Sequence, residues 1–359
     1  MHVALICKTF LKGGAEKQAL ILAKLLTERN VKVYLINWHG SKIDSANLNT
    51  IKASTYKYFP LKGTVLGKLN MFGKILRQEK INFVVSYLTL ANFVSGFSRL
   101  FNKNLLSIGG IRNEKLPYYK FLIERFIHNH LNDATVFNNF SAKEKFASRG
   151  FNPDKICVIQ NAIEIRDKSG EIRKNCNGEI KIITVGRFVK QKDYETALNS
   201  FRNLVDRDRK RKIKYYIVGY GPLEGKVRSL AKSLKIDDRI KVFINPPEVG
   251  EILKMSDIFL STSLFEGVSN SIMEAMASGL PIVATNVGDN NYLIRDGYNG
   301  YLVPVKDVNS IVERLDSLAL SEDARVQFGK NSLNLIESCF SGGKFVENYL
   351  SLFHKFNNH

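Results

Sequence analysis

Short β-branched and aromatic runs alternate with longer amphipathic segments along the whole chain, and this alternation limits the fold more than any other feature. Apolar positions in the longer segments recur at helical spacing, so helices join the strands, and strands joined by helices lie parallel. In the first half, strands are expected at Val3–Cys7, Val31–Ile36, Phe83–Tyr87, Leu105–Ile108, Ala134–Phe137 and Ile156–Ile159. The second half offers Ile180–Val185, Tyr215–Val218, Ile240–Phe243, Ile258–Ser261 and Ile282–Ala284. Between the two sets, residues 166–178 (RDKSGEIRKNCNG) are polar and without apolar periodicity, so they read as a linker. The expected organisation is an α/β domain over 1–165, the linker, a second α/β domain over 179–335, and a C-terminal helical segment, 336–359, packing back toward the first domain. Two such domains leave a cleft, and ligands of open parallel sheets sit outside the carboxyl ends of the strands.

A chain of 359 residues suits two domains, and 44% hydrophobic with 24% charged residues allows full cores and excludes a disordered chain. The apolar run Met1–Cys7 breaks at Lys8 with no small-residue cleavage site, so it reads as a strand and not a signal peptide. The uncharged stretch Ile81–Ser98 carries Asn82, Ser86, Thr89, Asn92, Ser95 and Gly96, which fits a buried strand running into a helix better than a bilayer span. Cys7, Cys157, Cys176 and Cys339 show no paired spacing, arguing against a disulfide framework or zinc site and for a reducing cytoplasm.

The net charge of +19 is unevenly placed. Residues 1–165 hold 24 Lys and Arg against 10 Asp and Glu, and the remainder 29 against 24, so the excess of +14 lies in the first half. Such a field attracts nucleic acid, an anionic membrane surface or a phosphorylated substrate; the plainer reading is a well-solvated surface. The run Arg207 to Lys214 resembles a nucleic-acid patch, but it follows a helical stretch and precedes a strand, so it reads as a solvated helix end.

Several loops at expected strand ends have residue types suited to anions. Gly13 and Gly14 precede a helical pattern, where bare N–H groups can approach a phosphate or sugar, although a plain tight turn explains them as well. Gly219, Gly221 and Gly225 imitate a dinucleotide fingerprint, but the third glycine is one residue late and the acidic ribose ligand is missing, which argues against a redox dinucleotide. After Ile180–Val185 come Arg187, Lys190 and Lys192, either surface cations or a clamp for a diphosphate. The densest stretch runs from Phe265 to Pro281: Glu266 in a loop, Gly267, Val268, Ser269 and Asn270 with N–H groups for a phosphate, and Glu274 in a helix. Ser271 and Glu274 also have capping-box spacing, which spacing alone does not separate from a ligand role.

These residues resemble a known family. The Gly-Gly-Ala-Glu loop, VGRFVKQKDYETAL (185–198), IVGYGPLEGKV (217–227) and SLFEGVSNSIMEAMASGLPIVAT (263–285) look like the family-4 glycosyltransferases, retaining and nucleotide-sugar-dependent enzymes of GT-B architecture. The resemblance runs from Val3 to about Pro304, and its strongest marker is the glutamate pair with seven residues between. It implies two Rossmann-like α/β/α domains facing each other across a cleft. It also implies that Gly13 and Gly14 approach the donor, that Arg187 and Lys192 hold its diphosphate, and that Glu266 sits by the donor sugar on the reacting side. Gly267 to Asn270 would bind through backbone amides, Glu274 would take the ribose, and Ile244 and Asn245 would lie against the base. Glu266, Arg187 and Lys192 are thus the implied catalytic residues. Retention in the family is explained by front-face attack, with no metal or other cofactor.

Departures from the family pattern are equally specific. Tyr292 stands where a glutamate is expected, Asn161-Ala162 replaces the usual Asn-Gly, and Gly109-Gly110-Ile111-Arg112-Asn113 lacks the frequent first-domain histidine. His128 and His130 read as helix-surface or packing residues, and Arg112 is a candidate for binding the donor sugar or an acceptor phosphate. The resemblance implies a nucleoside-diphosphate sugar donor, UDP favoured, and a glycan acceptor, lipid-linked and anionic. The expected location is the inner face of the cytoplasmic membrane, held as a peripheral protein through the mixed hydrophobic and basic stretches Tyr56–Lys80 and Tyr118–Arg125, with Lys57, Lys62, Lys68 and Lys74 as contacts; ordinary amphipathic helices are the plainer reading of both stretches. A GT-B epimerase or a basic nucleic-acid-binding protein is the alternative. The epimerase lacks its expected acid and histidine contexts, and no helix-turn-helix, finger or ribonucleoprotein signature supports nucleic acid.

Overall fold

Seven strands make the first sheet: β1 (His2–Cys7), β2 (Lys32–Asn37), β3 (Lys57–Pro60), β4 (Phe83–Tyr87), β5 (Leu106–Ile111), β6 (Ala134–Phe137) and β7 (Ile156–Val158). Their order is β3-β2-β1-β4-β5-β6-β7, every pairing parallel. The computed structural model describes residues 1–11, 13–112, 116–163 and 178–357 of the chain.

β1 lies at the centre, with Val3 opposite Val33 on one side and Phe83 on the other. Alternate side chains serve opposite faces of the sheet. Val3, Leu5 and Cys7 enter a core with the helix Gly14–Glu28, while Ala4 and Ile6 enter another with the helices Val65–Gln78 and Thr89–Leu100. The uncharged stretch expected to run from strand into helix is β4 followed by Thr89–Leu100. Among the described residues no helix is long and apolar enough to cross a membrane.

The second sheet holds β8 (Ile180–Val185), β9 (Ile213–Gly219), β10 (Ile240–Ile244), β11 (Ile258–Ser261), β12 (Ile282–Thr285) and β13 (Gly300–Val303). Its order, β10-β9-β8-β11-β12-β13, is again wholly parallel. In each sheet the chain builds outward from a first strand, then returns to that strand's other side. The reversal lies between β1 and β4 in one sheet and between β8 and β11 in the other. Loops on either side of such a point diverge and leave a crevice at the carboxyl edge.

β3 and β13 are absent from the strands expected from sequence. Both are edge strands of four residues with half-exposed faces, so neither presents the continuous apolar run of a strand buried on both sides. The stretch Tyr56–Lys80 is therefore strand, turn and helix, not one amphipathic helix.

The chain divides into two units, Met1–Ala162 with Gly342–His359, and Ile163–Ser341. The expected boundary at 335/336 falls inside the helix Glu322–Cys339, which packs Leu335 and Ile336 into the second unit. The chain breaks at Phe340–Ser341, and a new helix, Gly342–Asn357, buries Phe345, Val346, Tyr349 and Phe353 in the first unit's core beside Gly14–Glu28. Each fully buried aromatic side chain of this kind contributes about 1.5–3 kcal/mol. The linker expected at 166–178, including Cys176, lies outside the described residues except for Gly178.

Candidate functional site

At the reversal of the second sheet, the loop after β8 meets the loop after β11. Lys192 Nζ pairs with Glu266 Oε1 at 2.5 Å, and Ser263 Oγ donates to the same oxygen at 2.8 Å. Glu266 is 9% exposed, so its carboxylate depends on these two partners. The lysine stem runs over Gly186, where an added Cβ would meet Lys192 Cε at 3.0 Å. Thr262 Oγ1 donates to the carbonyls of Lys192 and Asp193, and Thr285 Oγ1 to that of Ser263. The ends of β8, β11 and β12 are thus tied together by side chain to backbone bonds. Arg187 is exposed one residue beyond Gly186; its carbonyl accepts from Val189 N–H, and its guanidinium makes no hydrogen bond or ion pair with a described residue.

Glycines bring these loops close. A Cβ on Gly219 would lie 1.9 Å from Gly186 O, and one on Gly221, at φ +150°, 2.8 Å from Phe188 O. Phe188 N–H donates to Tyr220 O and Leu223 N–H to Phe188 O. The glycines that imitate a dinucleotide fingerprint therefore pack one strand-end loop against its neighbour. Gly288, at φ +53°, occupies a similar position: a Cβ there would meet Glu266 O at 2.1 Å, and the following Asp289 N–H donates to Gly267 O. Gly288 and Ser263 hold Glu266 in place, and sequence reading passed over both. A glycine just after a strand was the available signal for Gly288.

The helix Asn270–Ala277 begins where Ser269 O accepts the first intrahelical bond, from Met273 N. Ser269 is therefore the N-cap and Ile272 its third helical partner, so Ser271 and Glu274 are not in capping-box register. Glu274 stands half-buried one turn into the helix. Gly267, Val268, Ser269 and Asn270 lead into the N-terminus, the positive end of the helix dipole. At the end of β10, Ile244 and Asn245 are exposed, and Asn245 adopts a left-handed φ of +44° with its N–H bonded to Gly219 O. Tyr292 is exposed, whereas its neighbour Asn290 is buried and bonds Thr285 O.

The carboxyl edge of the first sheet has different chemistry. Gly13 is the N-cap of Gly14–Glu28, and a Cβ there would lie 2.3 Å from Glu16 Oε2, so the glycine makes room for a carboxylate of its own helix. Gly13 and Gly14 are exposed. Arg112 stacks over Tyr87, 4.9 Å from the ring centroid, and donates to Asn161 Oδ1 and the Tyr349 hydroxyl. Leu88, directly after β4, takes φ +72° and ψ +163°, a strained conformation for a branched residue. Gly109 and Gly110 lie within β5, and a Cβ on Gly110 would be 2.5 Å from Ser86 O. His128 is buried, bonded to Thr135 Oγ1 and Asn152 O, and burial lowers its pKa to about 4, so it is a neutral packing residue. His130 is exposed against Phe126. Among the described residues, no group of three or more His, Cys, Asp or Glu is placed to hold a metal ion.

Residues 166–334 match the family model described as Glycosyl transferases group 1. The N-acetyl-alpha-D-glucosaminyl L-malate synthase of Bacillus anthracis is 28% identical over 48% of this chain and 45% of its own length. An Escherichia coli UDP-Gal:alpha-D-GlcNAc-diphosphoundecaprenol alpha-1,3-galactosyltransferase is 26% identical over 56% and 54%. The chain thus spans about half the length of the curated relatives it matches. The solved structure of Anabaena HepE in complex with UDP superposes with a TM-score of 0.84 at 14% identity, covering 99% of this chain and 100% of that one. At that identity the likeness speaks for the fold, two parallel α/β domains of GT-B type. Residues 166–334, most of them in the second unit, are thus similar to the glycosyl transferases group 1 family.

Proposed function

We propose that this protein is a retaining glycosyltransferase of the family-4 type. It moves a sugar from a nucleoside diphosphate, UDP by preference, to an anionic, lipid-linked glycan acceptor in surface polysaccharide or lipopolysaccharide synthesis. It works as a peripheral protein on the inner face of the cytoplasmic membrane. The observation that carries the reading is the Lys192–Glu266 pair at the reversal of the second sheet, beside the N-terminus of Asn270–Ala277. A cation, a carboxylate and the N–H groups of a helix N-terminus at one strand edge suit a diphosphate joined to a polyhydroxyl sugar. Uridine and a diphospholipid acceptor are supported by the activity for which the Escherichia coli relative is named, and uridine also by the UDP bound in the Anabaena structure.

In this reading Lys192 and Arg187 bind the donor diphosphate, Glu266 orients the sugar hydroxyls, and Glu274 accepts hydrogen bonds from the ribose. Gly13 and Gly14 serve the donor, Ile244 and Asn245 lie against the base, and Arg112 serves the acceptor. The bond between the anomeric carbon and the diphosphate oxygen breaks, and the acceptor oxygen bonds the same carbon from the same face. The acceptor proton passes to the departing diphosphate, whose growing charge the two cations neutralise. Stabilisation that increases as charge develops accelerates the chemical step.

Calorimetric titration with UDP, GDP, ADP and CMP tests donor binding, and incubation with a panel of nucleotide sugars then tests transfer. Tight binding of UDP, release of UDP only with acceptor present, and an axial or equatorial product linkage matching the donor by NMR are the expected results. Interconversion of nucleotide sugars without acceptor would assign an epimerase instead.

A further inference from the structure

Among the described residues, twelve large apolar side chains are exposed in the first unit, and eleven lie on three consecutive helices, Val65–Gln78, Thr89–Leu100 with its cap Phe101, and Tyr118–Phe126. The eight in the second unit are scattered over strand ends, loops and helix ends. Val65–Gln78 and Thr89–Leu100 share one core on one face of the first sheet. Thr89–Leu100 meets Tyr118–Phe126 through Asn92 and Glu124. The three form a single layer, with Phe72, Val94 and Phe121 turned inward. Turned outward are Leu66, Phe93, Phe101, Tyr118, Ile123 and Phe126, with Leu66 79% exposed and both Phe101 and Tyr118 76%. Along the middle helix the Phe93 and Phe97 rings stack, and Phe97 meets Phe101 edge to face. Exposed apolar surface this concentrated marks an interaction site.

The charge of the same stretch says what it meets. Residues 53–126 hold 12 Lys and Arg against 3 Asp and Glu. Of the described carboxylates, Glu79 is paired with Lys57, and Glu124 is 2% exposed and bonded to Asn92. Lys62, Lys74, Arg77, Lys80, Lys103 and Lys120 are exposed around the apolar residues. A second copy would bring like charges together. A nucleic acid would match the charge but leave Leu66 and Ile123 with nothing to bury against. A bilayer carrying anionic headgroups satisfies both: rings and aliphatic side chains enter the acyl boundary while long cations reach the phosphates.

We propose that the outer surface of these three helices is the face by which the protein docks on an anionic lipid bilayer. The inference deepens the membrane-acceptor reading and moves its contact from the lysines toward the rings. Of the four lysines expected to make contact, Lys57 is held by Glu79, and Lys68 is buried with its ammonium 5.4 Å from the Trp38 ring centroid.

The test uses the whole protein floated with vesicles of phosphatidylcholine alone or mixed with phosphatidylglycerol. Binding is expected only to the mixed vesicles, with release by raised salt. Phe101→Ser with Tyr118→Ser weakens partitioning about tenfold, and Leu320→Ser, equally exposed but in the second unit, has no effect. Phe101→Trp shifts its emission to the blue on binding, against a constant background from buried Trp38. Failure to bind either vesicle, equal binding to both, or unchanged binding by the double serine variant would overturn the proposal. So would a wild-type dimer in sedimentation that the double variant dissociates. UDP titration of the same samples keeps the two readings apart, because vesicle binding with no nucleotide binding would leave the docking face standing and remove the donor.

Discussion

The two sheets share one strand order and differ in what stands at their central carboxyl edges. At β8/β11 a buried ion pair bridges two loops, each of which a glycine of a neighbouring loop approaches backbone to backbone. At β1/β4 the corresponding ground holds a guanidinium stacked on Tyr87 and a strained Leu88, and Arg112 has no carboxylate partner among the described residues. One topology therefore supports two chemistries: a tightly packed charged edge and an aromatic, cationic one. Strand order fixes where a crevice lies, and the loop residues alone decide what it binds.

The largest effect that separates the two edges is steric. Gly219→Ala sets a Cβ 1.9 Å from Gly186 O, a backbone atom that cannot rotate away, and is expected to cost about 3 kcal/mol or more. Gly110→Ala, at 2.5 Å from Ser86 O, is expected to cost less, about 2 kcal/mol. Equal denaturation midpoints for the two variants would show the charged edge to be no more tightly packed than its counterpart.

Lys192→Ala strips Glu266 of its cation. Turnover is expected to fall about a hundredfold, because the lysine acts on developing charge as well as on the bound donor. A rise confined to the Michaelis constant would limit Lys192 to substrate binding. Combining it with Glu266→Ala closes a cycle, and a strong coupling energy in melting experiments measures the pair itself.

A smaller change tests the helix behind the pair. Glu274→Gln cannot disturb a cap, since Ser269 begins that helix, so melting is expected to stay constant. Loss of one carboxylate acceptor should weaken donor binding by about 1–3 kcal/mol. Unchanged donor kinetics would remove Glu274 from the site.

A pH-dependent effect belongs to the first unit alone. His128, with a folded pKa of about 4 against 6.5 for an exposed imidazole, stays neutral while the unfolded chain takes up a proton. Its contribution is complete above about pH 6.5 and is lost as pH falls toward 4, by at most about 1.4 kcal/mol per pH unit. His128→Gln should flatten that slope in urea titrations between those limits. A slope identical to that of the wild type would assign it to other groups.

Legibility in the sequence followed burial. Strands covered on both faces, such as β1, β4 and β8, wrote continuous apolar runs, whereas β3 and β13, at sheet edges, did not. The loops carrying Lys192 and Glu266 could be picked out from their residue types, but not their pairing. The two residues are 74 apart in sequence, and only the return of the chain to β8 brings them together. The capping ambiguity at Ser271 turned on two residues of helix register, which periodicity does not resolve. The middle helix of the apolar layer was missed because Phe93, Phe97 and Phe101 fall on the outer side of a helix whose average composition looks like core.

The last helix has a consequence for synthesis. Residues 342–357 complete the core around β1, yet they leave the ribosome only after every residue of the second unit. The second unit is contiguous and can fold while the first waits, its central sheet finished but with the places of Phe345, Val346, Tyr349 and Phe353 still empty. The domain that begins the polypeptide is thus the later to mature, and a premature stop near residue 340 would release a nascent chain whose second half is native and whose first half invites chaperones and proteases.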